Sequence, residues 1–500
     1  MASLPGEKRI SQETFDEVVE ENIADFEMSW EDAVADAITQ FEAVGVNLSN
    51  IIKDVRKEDR VTVEHPVIAA TKALIQAARE EPAEGGPSAA AASSEGGVPA
   101  PLQSLLDLVQ GDKEAKTLAS ASGALPAIWA LANAAPMDSH LTKLAYKTMR
   151  SICDGNNSGR AALPEDVVVQ ACDAILGGGL PEETNLLLHT SLVVFCTRTE
   201  PHKRTVHSSG LFSATLDSAC AAVEGAAVPA SSGADLGSAV STLGDVTGTL
   251  LHAQVNLLRA VVSGDDSSAQ VSKAFDFARE LTGSKTGDVL FVAGSIMRSG
   301  LAVGMADAPP AALMDAMHLI RVLAVNDSTC VKFTDRGVLG LLVESVKAWP
   351  KAAPIVKGAC GALRKLAHSD HVKRAVCAGD AAALNVLMAG LQGFAGDVGV
   401  LEQALAALSV VSLRIPENAL AIADKDAIPY VVDAMRSHPT APGVQRQCCL
   451  CLRNLVSRNK EALRGVILEE GAEALLRAAR AAHDNCTDVA WAALRDLGVE

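Results

Sequence analysis

Apolar residues recur along this chain at the three-to-four-residue spacing of helices that bury one side, and one such helix returns again and again. In residues 358–367, Ala359, Cys360, Ala362, Leu363, Leu366 and Ala367 make one broad apolar side. Residues 314–324, 403–412, 447–456 and 488–497 repeat the pattern. Their shared position holds Arg321, Arg364, Ser409, Arg453 and Arg495, at spacings of 43, 45, 44 and 42 residues. A constant period in this range predicts stacked helical repeats.

The interior of each unit agrees. Gly337, Asp426 and Gly123 each precede the shared position (Arg364, Arg453, Arg150) by 27 residues, Gly379 precedes Ser409 by 30 and Gly471 precedes Arg495 by 24. Each unit reads as a turn, a long helix (338–347, 427–436, 472–482), a loop and the signature helix. One unit cannot bury its apolar side alone, but stacked neighbours can.

Upstream, 11–26 predicts an amphipathic helix with Phe15, Val18, Val19, Ile23 and Phe26 on one face. Ser29 is placed as an N-cap of a second helix carrying Val34, Ile38 and Phe41, and Gly45 as its exit. Between Ile10 and Ile52 there are eleven acidic residues and no lysine or arginine. Two readings stay open: the element caps the repeat array, or it docks its apolar face on a partner. A further helix is expected over 65–79, then a flexible Ala/Gly/Ser/Pro linker over 80–101. The first unit is expected as helices 102–109, 124–134 and 141–153, the second signature helix at 184–199 and the third at 254–262. The gaps from Val193 to Arg259 and from Arg259 to Arg321 are 66 and 62 residues, each about 20 longer than one repeat. The excess is assigned to a surface loop at 224–245 and to a loop at 263–268 with an inserted helix at 270–281.

The Gly-x-Leu/Ile lead-in, the Ala-Leu-Arg-x-Leu helix and the period resemble armadillo repeats. The N-terminal block, residues 8–23 followed by 40–52, resembles the opening of the armadillo repeat-containing protein 6 family. The resemblance spans most of the chain, and residues 61–102 and 222–250 depart from it. It implies an all-α fold: an armadillo-repeat, right-handed superhelical solenoid with a short N-terminal helical element. The expected organisation is an acidic element at 8–55, the linker at 80–101, and a solenoid of about eight units at 102–500, irregular around 222–303. The family implies no catalytic residue that could be carried over.

Composition narrows the function classes. Aromatic residues are only 3% of the chain, which suits helix stacks packed by Ala, Leu and Val. The net charge of -18 argues against a general nucleic-acid binder and against anionic membranes. No run of 18 apolar residues appears, so no membrane span is expected. Eleven scattered cysteines, an odd number, predict reduced thiols and a cytoplasmic location, with nucleus, cytoskeleton or cilium as alternatives.

Candidate chemistry is sparse. Cys448 and Cys451 form a Cys-x-x-Cys, but no second pair stands at zinc spacing, and they fall where a repeat helix wants small core residues. His368 and His371 lie in a loop without ligand partners. Phosphate-binding and nucleophile-elbow motifs are absent, so neither metal, cofactor nor catalytic residue is assigned and no enzyme is expected. The arginine row is more informative. In armadillo arrays this helix lines the inner face, so Arg321, Arg364, Lys365, Arg453, Asn454 and Arg495 are the candidate partner-binding residues, suited to an extended acidic or helical segment. Ordinary consensus arginines, packed by their stems, are the competing reading. Nuclear-import adaptors of this fold carry Trp-x-x-x-Asn on this helix. Here the matching pairs are His318/Val322, Gly361/Lys365, Ala406/Val410, Leu450/Asn454 and Ala492/Asp496, so a receptor of that kind is not expected. The sequence thus predicts a non-catalytic protein-interaction scaffold or adaptor, with a structural part of a cytoskeletal or ciliary assembly as the alternative.

Overall fold

The computed structural model describes residues 8–26, 28–48, 51–53, 65–79, 100–226, 246–283, 288–303, 308–379 and 382–500. These residues divide into two compact units, 1–205 and 206–500.

In the first unit, β1 (Lys8–Arg9) pairs in parallel with β2 (Val46–Asn47) and closes a hairpin of α1 (Gln12–Phe26) and α2 (Trp30–Ala43). The element builds its core from its own residues: Phe15, Val19, Ala33, Val34, Ala37, Leu48 and Ile51 are buried together. Ser29 caps α2 as expected, accepting the Asp32 amide at 3.2 Å. Gln12 clamps the far end by receiving the Ile52 amide at 2.7 Å and donating to the Ile52 carbonyl at 3.2 Å. The apolar stripe of α1 is covered only at its start. Ile23 and Phe26, at its end, stay exposed at 37% and 67%.

Next come α3 (Pro66–Arg79) and α4 (Ala100–Val109). They are followed by the triplets α5 (Lys113–Ala121), α6 (Ala124–Ala132), α7 (His140–Cys153) and α8 (Asn157–Ala162), α9 (Glu165–Gly177), α10 (Glu182–Cys196). Packing pairs α3 with α6 and α4 with α7, the pairing of second with second and third with third helices in successive layers. The array therefore begins at α3, and residues 80–99, which lie outside the described residues, join two helices of one layer. The sequence reading that began the array at 102 overlooked α5. Its buried residues are only Ala115, Ala119 and Ser120, so it gives no strong apolar signal.

The chain passes into the second unit within α11 (Glu200–Ser208). There it continues as α12 (Leu211–Ala226), α13 (Leu250–Val261), α14 (Ala274–Gly283), α15 (Val289–Ala302), α16 (Ala311–Leu323), α17 (Asp327–Asp335), α18 (Val338–Ala348) and α19 (Ala353–Leu366). Then follow α20 (Asp370–Cys377), α21 (Ala382–Gly393), α22 (Val398–Ser412), α23 (Pro416–Ala423), α24 (Ala427–Ser437), α25 (Pro442–Val456), α26 (Lys460–Glu469), α27 (Ala472–Ala482) and α28 (Thr487–Leu497). The helix expected as an insertion at 270–281 is α14, the first helix of its own layer, packed on α15 and α16. Most of the loop expected at 224–245 lies outside the described residues.

Four layers turn where the sequence placed a turn residue. Gly123, Gly337 and Gly471 stand at φ 85°, 77° and 82°, directly before the second helix. Asp426 takes the same left-handed conformation at φ 57°. The helix arriving and the helix leaving can then share one residue at a sharp angle, a conformation that costs a Cβ-bearing residue more than glycine. Third helices stack on third helices: α13 on α16, α16 on α19, α19 on α22, α22 on α25, and α25 on α28. Between them Cys360, Leu363, Leu366, Leu405, Leu408, Cys448 and Leu452 are fully buried. Each such leucine contributes roughly 1.5–3 kcal/mol of apolar burial.

First-helix cations close the C-termini of third helices, where orphan carbonyls and the negative end of the helix dipole favour a cation. Lys373 on α20 is buried, donating to the Leu413 carbonyl after α22 at 3.1 Å and to Asp370 at 2.8 Å. Lys116 on α5 does the same to the Asp154 carbonyl at 3.0 Å, and Arg464 on α26 to the Leu497 carbonyl at 2.7 Å. The fold is an all-α armadillo-repeat solenoid.

Candidate functional site

The third-helix face of the second unit carries most of the residues singled out from the sequence, and the structure sorts them into three groups. At one end stands an acid that the sequence did not mark. Asp315 on α16 receives His252 Nε2 at 2.9 Å and Asn256 Nδ2 at 3.0 Å, and lies 3.7 Å from an Arg259 guanidinium nitrogen. His252, Asn256 and Arg259 all belong to α13. Burial works against the Asp315 charge, but the His252 hydrogen bond, Arg259 and Asn256 more than offset it and hold its carboxyl below the usual range.

The middle group is Arg321 on α16 with Lys357 and Arg364 on α19. Among the described residues, no carboxylate lies within ion-pair distance of any of the three. Arg321 lies over Gly361: a methyl group there would stand 3.5 Å from Arg321 Cδ and 3.5 Å from Gln403 Oε1 of α22. Lys357 reaches to α22, its Nζ 2.7 Å from where a Cβ on Gly399 would be. Arg364 lies one helical turn beyond Gly361. Burial, then the neighbouring charges of Arg259 and Arg364, push the Arg321 guanidinium down from its ordinary value. Burial, Arg259 and Arg321 likewise push His318 down, against the pull of Asp315. Lys365 is exposed one position further round α19.

In the last group two arginines share one carboxylate. Asp496 on α28 receives Arg495 at 2.7 and 3.0 Å and faces Arg453 Nε at 3.5 Å. The Arg495 guanidinium also sits 5.2 Å over the Trp491 ring. Asn454 donates to the Ser409 carbonyl at 2.8 Å, so its amide ties α25 to α22. In the first unit, Arg150 donates to Thr190 Oγ1 at 2.7 Å. The row expected as a uniform ladder is therefore an open cationic patch between two groups that hold carboxylates, with Arg446 of α25 a further cation outside any ion pair among the described residues.

Sequence reasoning missed Asp315, His318, Lys357 and Asp496. Lys357 and His318 share a helix face with the marked arginines, seven residues before Arg364 and three before Arg321. That helical spacing was the available signal. Cys448, Cys449 and Cys451 are fully buried, and burial pushes the Cys451 thiol up to about 12. Among the described residues no three His, Cys, Asp or Glu side chains are grouped to hold a metal ion. Nor is any single described helix long and apolar enough to cross a membrane.

Comparison with known proteins finds similar sequences. Residues 7–69 match the model of the armadillo repeat-containing protein 6 N-terminal domain. The armadillo repeat-containing protein 6 of Homo sapiens is 29% identical over 423 residues, which is 82% of this chain and 75% of that protein. A Drosophila melanogaster homolog of the same protein is 57% identical over 47 residues, 9% of this chain and 10% of that protein. Among solved structures, a designed armadillo repeat protein is 18% identical, with a TM-score of 0.41 over 56% of this chain and 99% of its own. The chain is thus similar to armadillo repeat-containing protein 6 over most of its length, and its N-terminal segment matches the N-terminal domain of that family.

Proposed function

We propose that this chain is a non-catalytic scaffold or adaptor that holds a segment of a protein partner along the third helices of its second unit. The observation that carries this reading is the open patch of Arg321, Lys357 and Arg364, cations without ion-pair partners among the described residues, in a chain of net charge -18. Arginines left open in this way suit carboxylate- or phosphate-bearing ligands. The partner segment is acidic, extended or helical, and its chain runs on past Gln403, Asn454 and Trp491, where contact is polar and aromatic rather than ionic. Lys365 extends the patch; Arg453, Asn454 and Arg495 shape the end where Asp496 sits. Neither nucleic acid nor membrane fits a chain this acidic. Eleven cysteines, none in a disulfide, support a reducing compartment such as the cytoplasm.

Affinity capture followed by mass spectrometry tests this reading. The full chain is compared with Arg321→Glu/Arg364→Glu and with Arg453→Glu/Arg495→Glu. A partner lost by the first variant and retained by the second is the expected result. Identical capture by wild type and Arg321→Glu/Arg364→Glu, with the fold intact, overturns it.

A further inference from the structure

The unpaired cations of the third-helix face cluster on α16 and α19, with Arg446 of α25 apart from them. Asp315, the carboxylate beside the patch, is already held by His252, Asn256 and Arg259 and does not neutralise Arg321. Glu402 on α22 turns the other way and covers Gly443 on α25 so closely that a side chain there would collide with it. Beyond α22, Arg453 and Arg495 share the one carboxylate of Asp496.

We infer that this patch takes a phosphoryl group carried on the partner segment, a phosphoserine or phosphothreonine side chain. The inference rests on the proposed function and specifies its ligand chemistry. The Arg321 and Arg364 guanidiniums, with the Lys357 ammonium near Gly399 and Asp397, exceed what one carboxylate can neutralise. A run of carboxylates, by contrast, would need cations spread along the face; on the third helices beyond α22, Arg453 and Arg495 share Asp496, which leaves Arg446 of α25 as the isolated cation there among the described residues. A phosphoryl group carries a charge of about −1.5 to −2 on three acceptor oxygens. It matches a compact cluster and the paired donors of guanidinium groups. Gly361 is buried under the Arg321 stem and Gln403, which lets Arg321 lie close across α19 while the guanidinium groups, not the helix backbone, meet the anion. The net charge of -18 favours a short segment with one phosphoryl group over a long polyanion or an anionic membrane.

The test uses the full chain and matched pools of random peptides, about 13 residues long, with phosphoserine, glutamate or serine fixed at the centre. Binding is read by fluorescence anisotropy near physiological salt. Further arms use a short single-stranded oligonucleotide and vesicles containing phosphoinositides. The phosphoserine pool is expected to bind at least about tenfold more tightly than the serine pool, consistent with one or two charge-assisted contacts. Arg321→Gln/Arg364→Gln loses that preference, and Arg453→Gln/Arg495→Gln keeps it. Lys357→Gln, a change to an exposed side chain, repeats the test if the double variant misfolds. If the glutamate or serine pool binds as tightly as phosphoserine while Arg321→Gln/Arg364→Gln weakens all pools, the phosphoryl inference falls and the proposed function stands. If no pool distinguishes wild type from that variant, both fall. Tighter binding of the oligonucleotide or the vesicles than of the phosphoserine pool also overturns the inference, in favour of that ligand.

Discussion

Arg321 of one repeat lies over Gly361 of the next, its Cδ 3.5 Å from where a methyl group on Gly361 would stand. That spacing is ordinary van der Waals contact, so Gly361→Ala is expected to be tolerated. It gains up to about 1 kcal/mol from the better helix propensity of alanine. Gly390 differs. A Cβ there would meet Ala404 Cβ at 2.9 Å and Cys360 Sγ at 3.3 Å. Overpacking of about 1–3 kcal/mol should outweigh the propensity gain, so Gly390→Ala lowers the unfolding temperature. Parallel thermal scans of the two variants check this; a Gly361→Ala that unfolds earlier than Gly390→Ala contradicts it.

Asp426 turns its layer with φ at 57°, where the equivalent positions Gly337 and Gly471 are glycine. Left-handed backbone costs a Cβ-bearing residue about 1–2 kcal/mol, less for Asp than for most. Asp426→Gly should therefore be neutral or stabilising by up to about 1 kcal/mol, and Asp426→Val destabilising by about 1–2 kcal/mol. Urea unfolding measures both, and a stabilising valine would show that the turn is not held left-handed.

Leu363 is fully buried on α19, among the helices stacked on both sides. Leu363→Asp puts an unpaired charge between layers and should cost several kcal/mol. An unchanged unfolding profile would remove Leu363 from any stacked core.

His318 faces Arg259 from α13, Arg321 and Asp315 on its own helix, and Lys357 from α19. Burial, then Arg259 and Arg321, lowers its folded pKa below the ordinary value of about 6.5. The unfolded chain thus binds the proton more readily, and acidification through the unfolded value toward the lower folded one costs stability. NMR titration should place the His318 midpoint below 6.5, and Arg321→Gln should move it up. A midpoint at or above 6.5 in the wild type would mean that the imidazole does not feel the patch.

Much of this fold was legible because its signals are local. Gly123, Gly337, Asp426 and Gly471 mark the turns, and the signature helices keep one register because each must bury the same side. Ser29 and Gly45 marked the ends of α2 for the same reason. What escaped the sequence depends on partners about a repeat or more away. Asp496 quenches Arg453 from 43 residues downstream, and Arg259 reaches Asp315 across 56. No periodicity in one helix distinguishes the open Arg321 and Arg364 from the paired Arg453 and Arg495. Helix α5 gave no sequence signal because it packs through alanine, and α3, which packs on α4 and α6, stands 20 residues before α4 in the chain. Ile23 and Phe26 extend the stripe of α1 past the ends of the residues that cover it.

The most direct test of the central claim is site-specific photo-crosslinking. A photoreactive residue replaces Gln403, beside Gly361 on the third-helix face, or Tyr430, which is 37% exposed on the second helix α24. The account predicts a partner crosslinked from position 403 and not from 430, and lost when Arg321→Glu/Arg364→Glu is added. Equal crosslinking from both positions, insensitive to those charges, would contradict it and point to a fixed component buried within a larger assembly.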